Sequence, residues 1–243
     1  MILEEPVLLI GAGGLGCGAA LVLAAAGLRH LTVVDDDVVE ESNLHRQVLH
    51  KHAAIGAPKV RSLAAALAQR YPSVEVTAIQ TRFDATSAER LLQGCAVLVD
   101  GSDNLDTKFL CNDAAVLARI PLVHAAAVGL WGQLLTVAAG GRPCYRCLFE
   151  ELPPADAGVG PSCAEAGVLG PVPGVLGALQ GHEAIALLRG APAFVGRLLQ
   201  YDAGSLTMRS VSLRPNPNCA VCGMRPTISG LDPSAYLTSR CSP

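Results

Sequence analysis

The stretch Val7–Ala19 reads VLLIGAGGLGCGA. A four-residue apolar run meets a glycine cluster and then turns into a small-residue helical pattern. Gly11, Gly13 and Gly16 fit the spacing G-x-G-x-x-G. In such a loop one glycine makes the tight turn, another lets the backbone approach a phosphate, and a third lets helix and strand pack closely. Val7–Ile10 is expected as a strand, Leu15–Ala26 as a helix and Leu31–Asp35 as a second strand, with Gly27 suited to the helix end. Together they make one βαβ unit, whose parallel strands are buried on both faces.

Beyond this unit, a charged loop (residues 35–56) precedes Pro58, which suits the start of a helix with an apolar stripe at Val60, Leu63, Ala64 and Leu67. VEVTAI (74–79) reads as a strand, SAERLLQ (87–93) as a short helix, and AVLVDGSDN (96–104) as a buried strand ending in acids. LDTKFLCNDAAVLAR (105–119) reads as a helix and PLVHAAAVG (121–129) as a strand. After Gly129 the alternation changes: GQLLTVAA (132–139) is a strand reached by a tight turn, and residues 150–163 are a Pro/Gly-rich loop. GVLGALQGHEAIALLRG (174–190) is a helix with small residues on one face, and residues 197–213 form a hairpin turning near Ala203–Gly204. The fold class is α/β: a doubly wound, mostly parallel Rossmann-like sheet extended by C-terminal antiparallel strands. Residues 1–225 read as a single domain and 226–243 as a polar tail.

Of the 243 residues, 51% are hydrophobic and 16% charged, and the formal net charge is −3. Such a chain can bury a sizeable core, and without a basic stripe a nucleic-acid surface is not expected. Pro6–Leu28 is uncharged and long enough to span a bilayer, but its six glycines divide it into strand, turn and helix. The start holds Glu4 and Glu5 and no basic residue, so no signal peptide, no membrane partner and a cytoplasmic location are expected.

The glycine loop alone does not separate NAD from ATP. Its setting does point to a nucleotide: Asp35 ends the second strand 19 residues after Gly16, placed to accept hydrogen bonds from ribose hydroxyls. SNLHRQ supplies Asn43 and Arg46, GAPKV supplies Lys59, and DGSDN supplies Asp100, Asp103 and Asn104. In a doubly wound sheet these loop positions share one crevice. Hydride transfer has no need of two cations and a carboxylate around the phosphates, whereas nucleotidyl transfer does. Arg46 and Lys59 can neutralise charge growing on phosphates, and Asp103 can hold Mg²⁺.

GAGGLG, VVDDDVVEESNLHRQ, GAPKV, DGSDN and SCAEAGVLGPVPGVLG, in this order, resemble the MoeB/ThiF/HesA family of adenylyltransferases, relatives of ubiquitin-activating enzymes. The resemblance runs from about Val7 to Gly223. It implies that the C-terminal glycine carboxylate of a ubiquitin-like sulfur-carrier protein, ending in Gly-Gly, attacks the α-phosphate of ATP. It implies a phosphate loop of Gly11, Gly13, Gly14 and Gly16, and ribose binding by Asp35. Asp37, Ser42, Asn43, Arg46 and Lys59 would stand around the nucleotide, the last three on its phosphates. Asp103 would bind Mg²⁺, Asn104 would line the pocket, and the protein would be a homodimer. Arg46, Lys59 and Asp103 are the expected catalytic residues, joined by Cys163 as a covalent link to the carrier, since a cysteine near a helix start can have a lowered pKa.

Nine cysteines in a chain of this length, with no secretory signal, point to metal or catalysis more than to a disulfide scaffold. CYRC gives Cys144 and Cys147, and CAVC gives Cys219 and Cys222. Two pairs of identical spacing match a closed, structural Cys₄ zinc site, against the alternatives of buried cysteine pairs or disulfides. Cys17, Cys95 and Cys111 are expected as apolar fillers, and Cys241 has no evident role. His45, His50 and His52 are expected as solvated loop residues, and Trp131 as a packing or interface residue.

The sequence departs from the family at its start. Members carry an N-terminal helix whose arginine reaches the neighbouring subunit's ATP, whereas six residues precede Val7 here and none is basic. No rhodanese-like domain follows, so sulfur would come from elsewhere. The missing arginine suggests one alternative to a sulfur-carrier adenylyltransferase, a catalytically weak ATP- or carrier-binding subunit; another, a tRNA-modifying relative, is opposed by the two cysteine pairs and the non-basic composition. A dehydrogenase fits poorly, because no hydride-site residues can be named.

Overall fold

A computed structural model describes residues 2–153 and 167–236. In chain order it holds β1 (Val7–Ile10), α1 (Gly14–Ala25), β2 (His30–Val34), α2 (Lys59–Arg70), β3 (Glu75–Ile79), α3 (Ala88–Leu92) and β4 (Val97–Asp100). It continues with α4 (Leu105–Ala118), β5 (Leu122–Val128), β6 (Trp131–Val137), α5 (Tyr145–Leu148), α6 (Pro171–Leu188), β7 (Arg197–Asp202) and β8 (Thr207–Ser212). The eight strands lie in one sheet, ordered β3-β2-β1-β4-β5-β6-β7-β8. The first five are parallel. The β5–β6, β6–β7 and β7–β8 pairs are antiparallel, as the change of pattern after Gly129 predicts.

Side chains of β1 alternate between two core layers. Val7 and Leu9 face α1 and α2, packing with Leu23, Leu63 and Leu67. Leu8 and Ile10 face α3 and α4, packing with Leu92, Phe109 and Leu110. All four residues of β1 and of β4 are buried, including Asp100. The outer strands break the rule of burial on both faces: no residue of β3 is fully buried, and every residue of β8 is exposed.

The small residues of α6 let it cross α1 at backbone contact. A Cβ on Gly177 would fall on the Leu15 carbonyl, and one on Gly181 would lie 2.8 Å from the Ala19 carbonyl oxygen. Gly18 faces Gly174 in the same way, at 3.0 Å from its carbonyl oxygen. This crossing sits directly behind the glycine loop that begins α1.

Two expectations change. Trp131 is 62% exposed at the start of β6 and is not a packing residue within this chain. Residues 226–236 are not free of the body: Ile228 and Leu231 lean on the α4 layer. Tyr236 is buried and its hydroxyl donates to Asp113 Oδ2 at 2.9 Å. Among the described residues no helix is long and apolar enough to cross a membrane.

Candidate active site

The sheet reverses winding direction between β1 and β4, which opens a crevice at their C-terminal ends. A cavity of about 480 Å³ lies there. Its wall brings together Gly11, Gly13, Gly14, Asp35, Asp37, Asn43, Arg46, Lys59, Asp103 and Asn104. The N-terminus of α1 opens onto this space with its first N–H groups, the positive end of the helix dipole.

Asp35 is tied to the loop that it faces. Its Oδ2 accepts from the Ala12 N–H at 2.7 Å and its Oδ1 from the Asp37 N–H at 2.8 Å. Burial pushes this carboxyl up, and the two backbone donors and the Lys59 ammonium work against that rise. Lys59, the first residue of α2, is nearly buried and pairs with Asp37 Oδ2 at 2.6 Å. The Arg46 guanidinium donates to Asn43 Oδ1 and to the Ser42 carbonyl. Asn104 caps α4, its Oδ1 accepting from the Thr107 N–H at 2.9 Å, so it has a structural task beside its place in the wall. Asp103, next to it, is exposed. One cavity thus presents helix-end N–H groups, cationic side chains and the exposed carboxylate of Asp103, a set suited to a polyphosphate with a divalent ion.

The cysteine pairs converge as well. The four sulfurs of Cys144, Cys147, Cys219 and Cys222 lie within 4.8 Å of one another. Cys144 and Cys219 approach to 3.6 Å, Cys147 and Cys222 to 3.4 Å. These separations are too long for disulfides and near the spacing of about 3.8 Å that tetrahedral Zn–S bonds of 2.3 Å require. The Asn112 amide points at Cys144 Sγ at 3.8 Å and the Asn216 N–H at Cys147 Sγ at 3.4 Å, outer contacts of the kind that orient thiolate ligands.

The sequence profile of the ThiF family matches residues 1–221. This chain belongs to the ThiF family. It is 46% identical over 223 residues to the SAMP-activating enzyme E1 of Haloferax volcanii, covering 91% of this chain and 82% of that one. It is 48% identical over 227 residues to the adenylyltransferase and sulfurtransferase MOCS3 of Bos taurus, covering 93% of this chain. It spans about half, 50%, of that protein's length. Its fold is that of Escherichia coli MccB, with a TM-score of 0.81 at 21% identity, covering 93% of this chain and 67% of that one.

Some ThiF-family residues expected in the site stand elsewhere. Gly16 is not in the cavity wall; a Cβ there would fall on the Gly11 carbonyl, so its task is to let α1 start close against the loop. Ser42 also lies off the wall, in an exposed 3₁₀ turn where its hydroxyl is 3.5 Å from Glu40 Oε2. Asp100 is sealed beneath the crevice. Its Oδ2 takes the Lys108 ammonium at 3.2 Å and the His124 ring at 2.6 Å, and its Oδ1 accepts from the Ser102 N–H at 2.9 Å and from the Ser102 hydroxyl. Burial alone would raise this carboxyl; Lys108, His124 and Ser102 outweigh it and hold Asp100 well below the usual carboxylate range. His50 is not solvated: it is 6% exposed, and burial lowers its pKa. Cys17 and Cys111 are buried fillers, and Cys95 is partly buried. Cys163 lies outside the described residues.

Arg82 and Gln47 line the cavity without having been expected there. Arg82 follows β3, and the rule that strand ends share the crevice could have found it. Gln47 is buried, and its Oε1 has no partner among the described residues.

Proposed function

We propose that this ThiF-family protein is an ATP-dependent adenylyltransferase for a ubiquitin-like sulfur-carrier protein ending in Gly-Gly. A terminal carboxylate oxygen of the carrier attacks the α-phosphorus of ATP, the bond to the bridging oxygen breaks, and pyrophosphate leaves from an acyl-adenylate. The observation that carries this reading is the shared cavity. Asp35 stands where a ribose would lie, Arg46 and Lys59 provide positive charge for the phosphates, and the loop N–H groups complete their cradle. Asp103 would hold Mg²⁺, which would offset phosphate charge. The relatives named as a SAMP-activating enzyme and as adenylyltransferases support the same chemistry.

In this reading the four cysteines hold a structural zinc ion, residues 1–225 act as one nucleotide-binding unit, and the protein works as a homodimer. The activated carrier would receive sulfur for molybdopterin, thiamin or a related product, and Cys163 is the proposed point of covalent attachment. Pyrophosphate exchange tests the proposal, with purified protein, ATP, Mg²⁺ and carriers ending in Gly-Gly. Carrier-dependent exchange is expected. ATP binding without exchange toward any carrier would instead identify a non-catalytic subunit, and absence of ATP binding would overturn the reading.

A further inference from the structure

His50 packs behind the glycine loop, outside the cavity wall. Its Nε2 stands 2.9 Å from the Ala12 carbonyl oxygen and its Nδ1 2.9 Å from Ser62 Oγ. A carbonyl can only accept, so Nε2 carries the hydrogen; in the neutral ring Nδ1 then accepts from the Ser62 hydroxyl. The Cys17 thiol donates to the same Ala12 carbonyl at 3.5 Å. On its other side, Ala12 gives its N–H to Asp35 Oδ2 at 2.7 Å. Ala12 is therefore held at both of its backbone polar groups.

The carbonyl of Ala12 and the N–H of Gly13 belong to one peptide unit. That unit is planar and trans, so the two groups point in opposite directions. A carbonyl drawn inward to the His50 ring turns the Gly13 N–H outward, toward the cavity that Gly13 lines. We propose that His50 is a positioning residue for the nucleotide phosphates: by holding the Ala12 carbonyl, it aims the Gly13 N–H at a phosphate oxygen. This role rests on the ATP reading given above. His50 touches no substrate and acts through the peptide that it holds.

The test compares the full-length protein with its H50L, H50Q and S62A variants. The readouts are direct ATP titration with Mg²⁺, the split of KM and kcat in pyrophosphate exchange, and thermal melting. In H50L the ATP Kd and KM are expected to rise about tenfold, the scale of one lost buried hydrogen bond, with kcat changing less. H50Q keeps a donor at similar reach and is expected to recover most of that loss. S62A removes only the partner of Nδ1 and is expected to weaken ATP binding about threefold with little change in melting. Unchanged ATP affinity in H50L, or H50Q no better than H50L, overturns the proposal. If H50L does not fold, S62A with unaltered affinity overturns it. A parent protein that binds no ATP takes down the nucleotide reading and this role together, whereas tight parent binding with an unaffected variant takes down this role alone.

Discussion

The nucleotide crevice and the cysteine centre follow opposite building plans. The crevice is assembled from short local segments at the ends of β1, β2, β3 and β4, and it stays open. Its polar groups keep capacity for a guest: Asp103 is exposed, and among the described residues the Arg46 guanidinium is held by its near neighbours Ser42 and Asn43. The cysteine centre joins residues 75 positions apart and closes on itself. The polar groups around it are matched internally. Asn112 Oδ1 accepts from the Tyr145 N–H at 2.8 Å, and the Arg146 guanidinium grips both oxygens of buried Asp113. An open site holds charge in readiness for a ligand; a closed one uses its contacts to fix distant parts of the chain to each other. The two should therefore fail differently when altered.

The largest effect is expected from stripping the cysteine centre. Structural zinc contributes on the order of 10 kcal/mol to folding at neutral pH. Chelation, or Cys219→Ser, should release close to one zinc per chain and lower the melting temperature by more than about 10 °C. A zinc-free preparation that melts normally would break the contrast. Next comes Asp103→Ala, which should cut carrier-dependent pyrophosphate exchange by at least about a hundredfold while leaving melting nearly unchanged. Full exchange in that variant would remove Asp103 from the site, and a large fall in melting would make the crevice a stability element after all.

The smallest effect concerns pH. Burial holds His50 below the ordinary histidine value, with Asp35 and Lys59 as its charged neighbours. Burial does the same to His124 beside Asp100, Lys108 and Asp113. In the unfolded chain both titrate near 6.5. Below that value the unfolded state takes up protons that the folded state refuses, so their stabilisation is present above 6.5 and is lost as pH falls toward the folded values. The melting temperature should drop by a few degrees, about 3–6 °C, between pH 7.5 and 5.5, and less so in H50Q. A flat profile would show that the two rings are protonated without cost.

What could be read in the sequence was the part with local grammar. GAGGLG, Asp35 and Asp103 sit just beyond strand ends, which topology carries into one crevice, and Lys59 joins them at the start of α2, where Asp37 holds it. The paired CxxC spacing foretold the convergence of four sulfurs for the same reason: each pair is local, and only their meeting is long-range. Ser42, expected around the nucleotide from the resemblance alone, stands off the cavity wall, where the 3₁₀ turn brings its hydroxyl to 3.5 Å from Glu40 Oε2. Asp100 misled because an acid at a strand end usually faces the ligand, while its partners Lys108 and His124 come from the following helix and strand. His50 was illegible because its burial depends on the glycine loop and α2 closing over it. Tyr236 depends in the same way on an acid 123 positions earlier.

The crossing of α1 over α6 has a mechanical consequence. Where Gly177 meets the Leu15 carbonyl, backbone rests on backbone, and no side chain is available to change rotamer and absorb a displacement. Pro173 of α6 and Gly13 and Gly14 at the head of α1 border the same cavity. That side wall and floor are therefore coupled backbone to backbone, and among the described residues the rest of the wall comes mainly from the loops after β2, β3 and β4.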